Sequence, residues 1–161
     1  MRIQVIVVGR MKSGPERDFV SRYLDRATAG GRTLGLTDFT VTELAESRAA
    51  GAVARKAEEA RAIAAALPEK SVLVALDERG KGMTSERFAA QIADWRDAGR
   101  AGLALLIGGA DGIDAQLRDR ADLVLSFSPM TWPHQMVRIM AAEQLYRATT
   151  ILSGHPYHRG D

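Results

Sequence analysis

Two loops and a tail hold the residues whose types and spacing suit chemistry. The loop Gly108-Gly109-Ala110-Asp111-Gly112 follows the apolar run Leu103 to Ile107. The loop Phe127-Ser128-Pro129-Met130-Thr131-Trp132 follows a second apolar run, and Pro133 then opens a helical segment. The tail reads His155-Pro156-Tyr157-His158-Arg159. Glycines after a strand let a ligand come close to the backbone. A structured loop that offers N–H and C=O groups beside Phe127, Met130 and Trp132 suits an adenine ring. In the tail, Tyr157 can stack on a base, Arg159 can grip a phosphate, and His155 or His158 can move a proton near neutral pH. Each feature also has a plainer reading: a tight turn, core aromatics before an ordinary helix-start proline, and a solvated chain end.

Several chemistries are excluded or disfavoured. The glycine spacing is G-G-x-x-G after the fourth strand, not the G-x-G-x-x-G of dinucleotide binding after the first, and no Walker-type phosphate loop occurs. That disfavours a small dehydrogenase. The chain has no cysteine, so disulfides and thiolate metal sites are ruled out and a reducing compartment fits. His134, His155 and His158 lack standard zinc spacing, so no metal is expected. No apolar run approaches membrane-spanning length, and Ile3 to Val8 is too short for a signal-peptide core. The expectation is a cytoplasmic protein without membrane contact. A net charge of +2 permits RNA binding without demanding it.

The elements that must position these loops alternate along all 161 residues, which suit one domain, 1–161. Arg2 to Val8 reads as a strand covered on both faces. A helix follows over Glu16 to Ala27, closed by Gly30-Gly31. The spacing then predicts a strand over Asp38 to Leu44, an alanine-rich helix over Arg48 to Leu67, and a strand over Ser71 to Leu76. In the alanine-rich helix Val53, Ala57, Ala60, Ile63, Ala64 and Leu67 form the apolar stripe, and Arg55 can pair with Glu59 one turn away. Asp77 to Met83 is a polar loop, and Thr84 or Ser85 caps the next helix, whose stripe is Phe88, Ile92 and Trp95. Leu103 to Ile107 is the fourth strand, Ile113 to Arg120 a short helix, Asp122 to Ser126 the fifth strand, and Pro133 to Ala148 the last helix. The fold class is α/β, a mostly parallel sheet with helices on both faces, and ligands of such sheets bind at the strands' carboxyl ends. The last helix is apolar around most of its circumference (Met136, Val137, Ile139, Met140, Ala141, Ala142, Leu145, Ala148), so a homodimer is expected to cover it. Arg138, Glu143 and Arg147 on that helix need partners from the other subunit or a substrate.

The segments LLIGGADG, LSFSPMTWPHQMVR, EQLYRA and HPYHR, with IQVIVVGRMK, RYLDR and VALDERGKGMTSERFA, resemble the ribosomal large subunit methyltransferase H family along nearly the whole chain. These are SPOUT-class enzymes. The resemblance implies a homodimer with a SPOUT-type C-terminal trefoil knot, a topology no periodicity suggests because threaded chains are rare. It implies S-adenosylmethionine as cofactor and methylation of N3 of a pseudouridine in helix 69 of 23S rRNA, in the assembled ribosome. The cofactor positions carried over are Leu76, Gly108, Phe127, Ser128, Pro129, Met130, Thr131 and Trp132. The RNA-binding positions are Arg147, Tyr157 and Arg159, and the catalytic candidates are His155, His158, Arg138 and Glu143. The chain departs from the family pattern at Trp132, where relatives also use leucine or phenylalanine, and in running past Arg159 with Gly160-Asp161. Two alternatives stay open: a SPOUT methyltransferase acting on another RNA, and a non-catalytic ribosome-associated factor.

Overall fold

The computed structural model describes residues 1–159, with side chains through Tyr157. Five strands, β1 (Arg2–Val8), β2 (Thr37–Leu44), β3 (Ser71–Lys81), β4 (Gly102–Ile107) and β5 (Leu123–Leu125), alternate with α1 (Pro15–Gly31), α2 (Ala52–Ala66), α3 (Ser85–Asp97), α4 (Ala115–Asp119) and α5 (His134–Ser153). The strands form one sheet in the order β2-β1-β4-β3-β5, every pairing parallel. All carboxyl ends therefore lie at one end of the sheet, with β4 at its centre.

Strand side chains alternate between faces, and here both faces are apolar. Ile3, Val5 and Val7 of β1 and Leu103, Leu105 and Ile107 of β4 join a core with Leu24 of α1, Phe88 of α3 and Leu145 of α5. Ile6, Val8, Ala104 and Leu106 face the other way, onto Ile63 of α2 and Leu117 of α4. Full burial of an aliphatic side chain is worth about 1.5–3 kcal/mol, so these two layers fix the strand register. Thr84 is the cap of α3, accepting a hydrogen bond from the Arg87 N–H.

Several expected boundaries shift, each for a physical reason. Strand β3 runs on from Leu76 to Lys81 because β5 pairs with it twice: Leu125 is the partner of both Leu76 and Lys81. The Ser126 N–H donates to the Lys81 carbonyl at 3.0 Å. A Cβ on Gly80 would lie 2.6 Å from the Leu125 carbonyl carbon and 2.8 Å from that of Val124. The 76–81 segment thus wraps tightly against the backbone of β5.

Helix α2 begins at Ala52, not Arg48, after Gly51 at φ 85°, a conformation that favours glycine. Its expected stripe is corrected as well: Val53 is 81% exposed and Ala64 is exposed, while Glu59 joins Ile63 in the interior. Arg55 does not make its ion pair with Glu59. It reaches Asp111 instead, and Glu59 accepts the Ser47 N–H at 3.0 Å. In α5, Ala141, Ala142, Leu145 and Ala148 are buried, against α1 and α3, while Met136 stays exposed.

Candidate active site

The 76–79 segment of β3 and the loops that follow β4 and β5 line a cavity of about 320 Å³, at the small end of the range typical of small-molecule sites. Leu76, Gly108, Phe127, Ser128, Met130, Thr131 and Trp132 all line it. Pro129 belongs to the same loop and is not among the lining residues. Ile107, Ile113 and Asp77, which sequence reasoning did not single out, line it as well, with Asp111 of the glycine loop. Apolar walls with a few polar groups suit a flat heterocycle attached to a polar chain.

Local chemistry sets the shape of each loop. Gly108 has no room for a side chain: a Cβ would meet Ile113 Cγ1 at 2.8 Å and the Gly112 carbonyl carbon at 3.0 Å. At Gly109 a Cβ would meet Glu59 Oε2 at 2.9 Å. Gly112, at φ 80°, closes the turn by donating its N–H to the Gly109 carbonyl at 3.0 Å. In the β5 loop the Ser126 hydroxyl donates to the Ser128 carbonyl at 3.0 Å, and the Ser128 hydroxyl accepts the Met130 N–H at 2.9 Å. These bonds leave Met130 and Trp132, 69% and 39% exposed, on the rim.

Helix α2 ties down the glycine loop. Arg55 donates from Nε to Asp111 Oδ2 at 2.6 Å and from Nη2 to Oδ1 at 3.0 Å. This two-pronged geometry is the strong form of an arginine–carboxylate pair. Its hydrogen bonds hold the Asp111 carboxyl below the usual carboxylate range.

The remaining candidates fall into two groups. Glu143 and Arg147 of α5 meet Tyr157, which follows the helix: Arg147 donates to Glu143 at 2.8 Å from Nε, the Tyr157 hydroxyl reaches Glu143 at 3.3 Å, and the Arg147 guanidinium lies 5.1 Å from the Tyr157 ring centre. Tyr157 also packs on Tyr146 at 4.6 Å. The tail is therefore docked through Tyr157. Glu143 lines a second cleft that shares Leu125, Ser126 and Phe127 with the first cavity. His155 is exposed, and its Nδ1 accepts the Tyr157 N–H at 3.2 Å. Arg138 lies elsewhere, buried behind the end of β1, where it donates to the Gly9 carbonyl at 2.9 Å and to Glu43 at 3.1 Å. The side chains of His158 and Arg159 lie outside the described residues.

Burial, then hydrogen bonding with Tyr23 and the charge of Glu143, push the Tyr157 hydroxyl from 10.0 up to about 12. The unfolded chain releases this proton first, so stability falls as pH rises from about 10 to 12. Absorbance titration of tyrosinate is expected to show one late-titrating tyrosine that disappears in Tyr157→Phe; an unchanged titration in that variant would contradict the docked tail.

Among the described residues, no group of three metal-ligating side chains is assembled and no helix is long and apolar enough to cross a membrane.

Comparison with known proteins gives one consistent answer. A family model described as "Predicted SPOUT methyltransferase" matches residues 1–158. A protein of Allorhizobium ampelinum named ribosomal RNA large subunit methyltransferase H is 58% identical over 159 residues, covering 99% of each chain. Proteins of the same name from Rhizobium etli and Bradyrhizobium diazoefficiens are 57% and 54% identical, again over 99% of each chain. A solved structure of a probable methylase family protein from Haemophilus influenzae shares the fold, with a TM-score of 0.52 and 13% identity, covering 96% of this chain and 69% of that one.

Proposed function

Because the chain belongs to the SPOUT methyltransferases and, within them, to the ribosomal RNA large subunit methyltransferase H family, we propose that it methylates N3 of a pseudouridine in helix 69 of 23S rRNA in the assembled ribosome, with S-adenosylmethionine as methyl donor. The observation that supports this most directly is the convergence of the Leu76, Gly108 and Phe127–Trp132 segments on one cavity. It acts as a single domain, in the cytoplasm, without metal.

The residues present fit the cofactor. Ile107, Ile113, Leu125 and Trp132 give the cavity flat apolar walls, while Asp77 and Ser126 offer acceptors for cationic and hydroxyl groups. A Cβ at Gly108 would push into Ile113 and Gly112 and distort the wall against which the ligand rests. When bound, the cofactor supplies a methyl group already activated by its sulfonium charge. The protein's task is then orientation and the management of one proton. Loss of the N3 proton leaves an anion, which a nearby guanidinium stabilises. Of the proposed cations, Arg147 stands beside the cleft that adjoins the cofactor cavity, while Arg138 is committed to backbone carbonyls and Glu43. Glu143 lines that same cleft, which favours it as proton acceptor over exposed His155. Tyr157, with Arg147 and the terminal His158 and Arg159, handles RNA.

A homodimer completes this reading. Met136, Trp132 and Met130 are exposed together near the start of α5, and a second copy is the cover proposed for them. Light scattering is expected to give twice the 17.4 kDa chain mass; a monomer at micromolar concentration would contradict it.

Calorimetry with S-adenosylmethionine tests the cofactor assignment, and absence of binding would favour a non-catalytic ribosome factor. In the same assay Arg55→Met is expected to weaken binding about tenfold, since the glycine loop loses its two-pronged arginine–carboxylate brace. The exchange Arg55→Asp with Asp111→Arg should restore part of it. Unchanged affinity in Arg55→Met would show that the fork does not hold the glycine loop.

A further inference from the structure

The end of β1 contains an unusual use of a buried charge. Arg138 is 7% exposed, and burial pushes its pKa down while Glu43 and Glu46 pull it back. A guanidinium taken out of water is costly unless well partnered. Its partners here are the Gly9 and Val8 carbonyls, at 2.9 and 3.4 Å, and Glu43 at 3.1 Å. Glu43 in turn accepts the Met11 N–H at 2.8 Å, and Arg17 donates to the Met11 carbonyl at 2.9 Å. Met11 itself is buried. The result is a braced loop whose exposed residues on either side of Met11 are Arg10 and Lys12.

The strand order gives this loop a location. In β2-β1-β4-β3-β5 the glycine loop follows β4 at the centre. On one side of it lie the loops after β1, with Arg10 and Lys12, and after β2, with Arg48. On the other side lies the end of β3, with Arg79 and Lys81. All five side chains are exposed, and among the described residues none makes a hydrogen bond or ion pair. The carboxylates at this end are mostly engaged: Asp111 with Arg55, Glu43 with Arg17, Asp77 with Arg118. Glu16 and Asp18 sit in the first turn of α1, where they meet the helix dipole. Glu46 and Glu78 are the exposed exceptions. With strands about 4.8 Å apart, the span from β2 to Leu76 of β3 is roughly 15 Å, and Lys81, which pairs with Leu125 of β5, lies farther out. This is room for several phosphates at about 3.4 Å of rise per charge on one strand.

We propose that Arg10, Lys12 and Arg48 on one side of the glycine loop, and Arg79 and Lys81 on the other, form a phosphate-gripping track that lays the RNA backbone across the mouth of the cofactor cavity. Arg138 is then a positioning residue, bracing the Arg10–Lys12 loop. This rests on the RNA substrate proposed above, and it adds the sheet's carboxyl edge to the RNA-binding surface proposed for the α5 tail.

The test is a triple variant, Arg10→Gln with Lys12→Gln and Arg48→Gln, beside a control of equal charge change, Arg2→Gln with Arg32→Gln and Arg61→Gln. Both should bind S-adenosylmethionine like the unaltered protein, which checks folding and the cofactor reading separately. With ribosomes lacking the modification, the track variant is expected to raise KM at least tenfold with kcat within twofold. Its slope of log kcat/KM against log salt should be shallower by roughly 2 to 3, at about 0.7–0.9 for each phosphate that the variant no longer neutralises. The control should change neither. Equal KM and salt slope in the two variants would overturn the track while leaving the enzyme's function standing. If the unaltered protein methylates no ribosome, the target reading fails, and salt-dependent binding of the same proteins to deproteinised 23S rRNA still decides the track. A loss seen with whole ribosomes and absent with deproteinised rRNA would assign these residues to ribosomal proteins and overturn it too.

Discussion

Alanine at Gly80 is expected to cost about 3 kcal/mol, as overpacking into a rigid neighbour does, and to lower the melting temperature by roughly 6–12 °C for a domain of this size. The neighbours of its Cβ would be the Leu125 carbonyl carbon at 2.6 Å and the Val124 carbonyl carbon and oxygen at 2.8 Å. These are backbone atoms of a paired strand, so no rotamer change relieves the clash. Relief requires β5 to leave the 76–81 segment, and β5 leads directly into the Phe127–Trp132 loop that lines the cavity proposed for the cofactor. Affinity for S-adenosylmethionine should therefore fall together with stability. Gly82→Ala is the matched control, with nothing within 4 Å of its Cβ, and should melt near the unaltered protein. Equal melting of the two variants would mean that β5 is not confined by the segment that wraps it.

Arg147→Met is expected to lower kcat about 100-fold while the affinity for S-adenosylmethionine stays within twofold. Loss of one preorganised group that stabilises developing charge costs a factor of roughly 10²–10³. Arg147 is held by Glu143 at 2.6 Å through Nη2 and at 2.8 Å through Nε, and those bonds raise its pKa, so it stays charged throughout the working range. Lysine should restore only part of the rate, because a point charge lacks the planar fork. A normal kcat in Arg147→Met would remove this guanidinium from the transfer step. His155→Ala separates the tail's proton chemistry from this effect: normal turnover would leave His155 with a structural role, its bond to the Tyr157 N–H.

Much of this architecture is legible in the chain. The runs Arg2 to Val8 and Leu103 to Ile107 announce strands buried on both faces, and the structure has them as β1 and the centre of the sheet. The glycine loop and the Phe127–Trp132 segment stand out because neither strand nor helix periodicity accounts for them. Long-range pairings leave no such trace. The Arg55–Asp111 fork joins residues 56 apart in sequence, whereas Glu59 offers itself at helical spacing and turns inward to hold Ser47. The extension of β3 to Lys81 depends on a strand more than forty residues later, and polar Asp77, Glu78 and Arg79 hide it. Arg138 looks like a site residue by its neighbours in sequence, yet the packing of α5 directs it beneath Gly9. Charge partners and strand crossings are properties of the assembled fold, and hydrophobic periodicity does not report them.

The most direct measurement is to incubate the protein with methyl-labelled S-adenosylmethionine and assembled ribosomes that lack the modification, then map the labelled nucleotide. Label on N3 of a pseudouridine in helix 69 of 23S rRNA is the predicted result. Label on a different nucleotide, or none from protein shown to bind the cofactor, would contradict the proposed target.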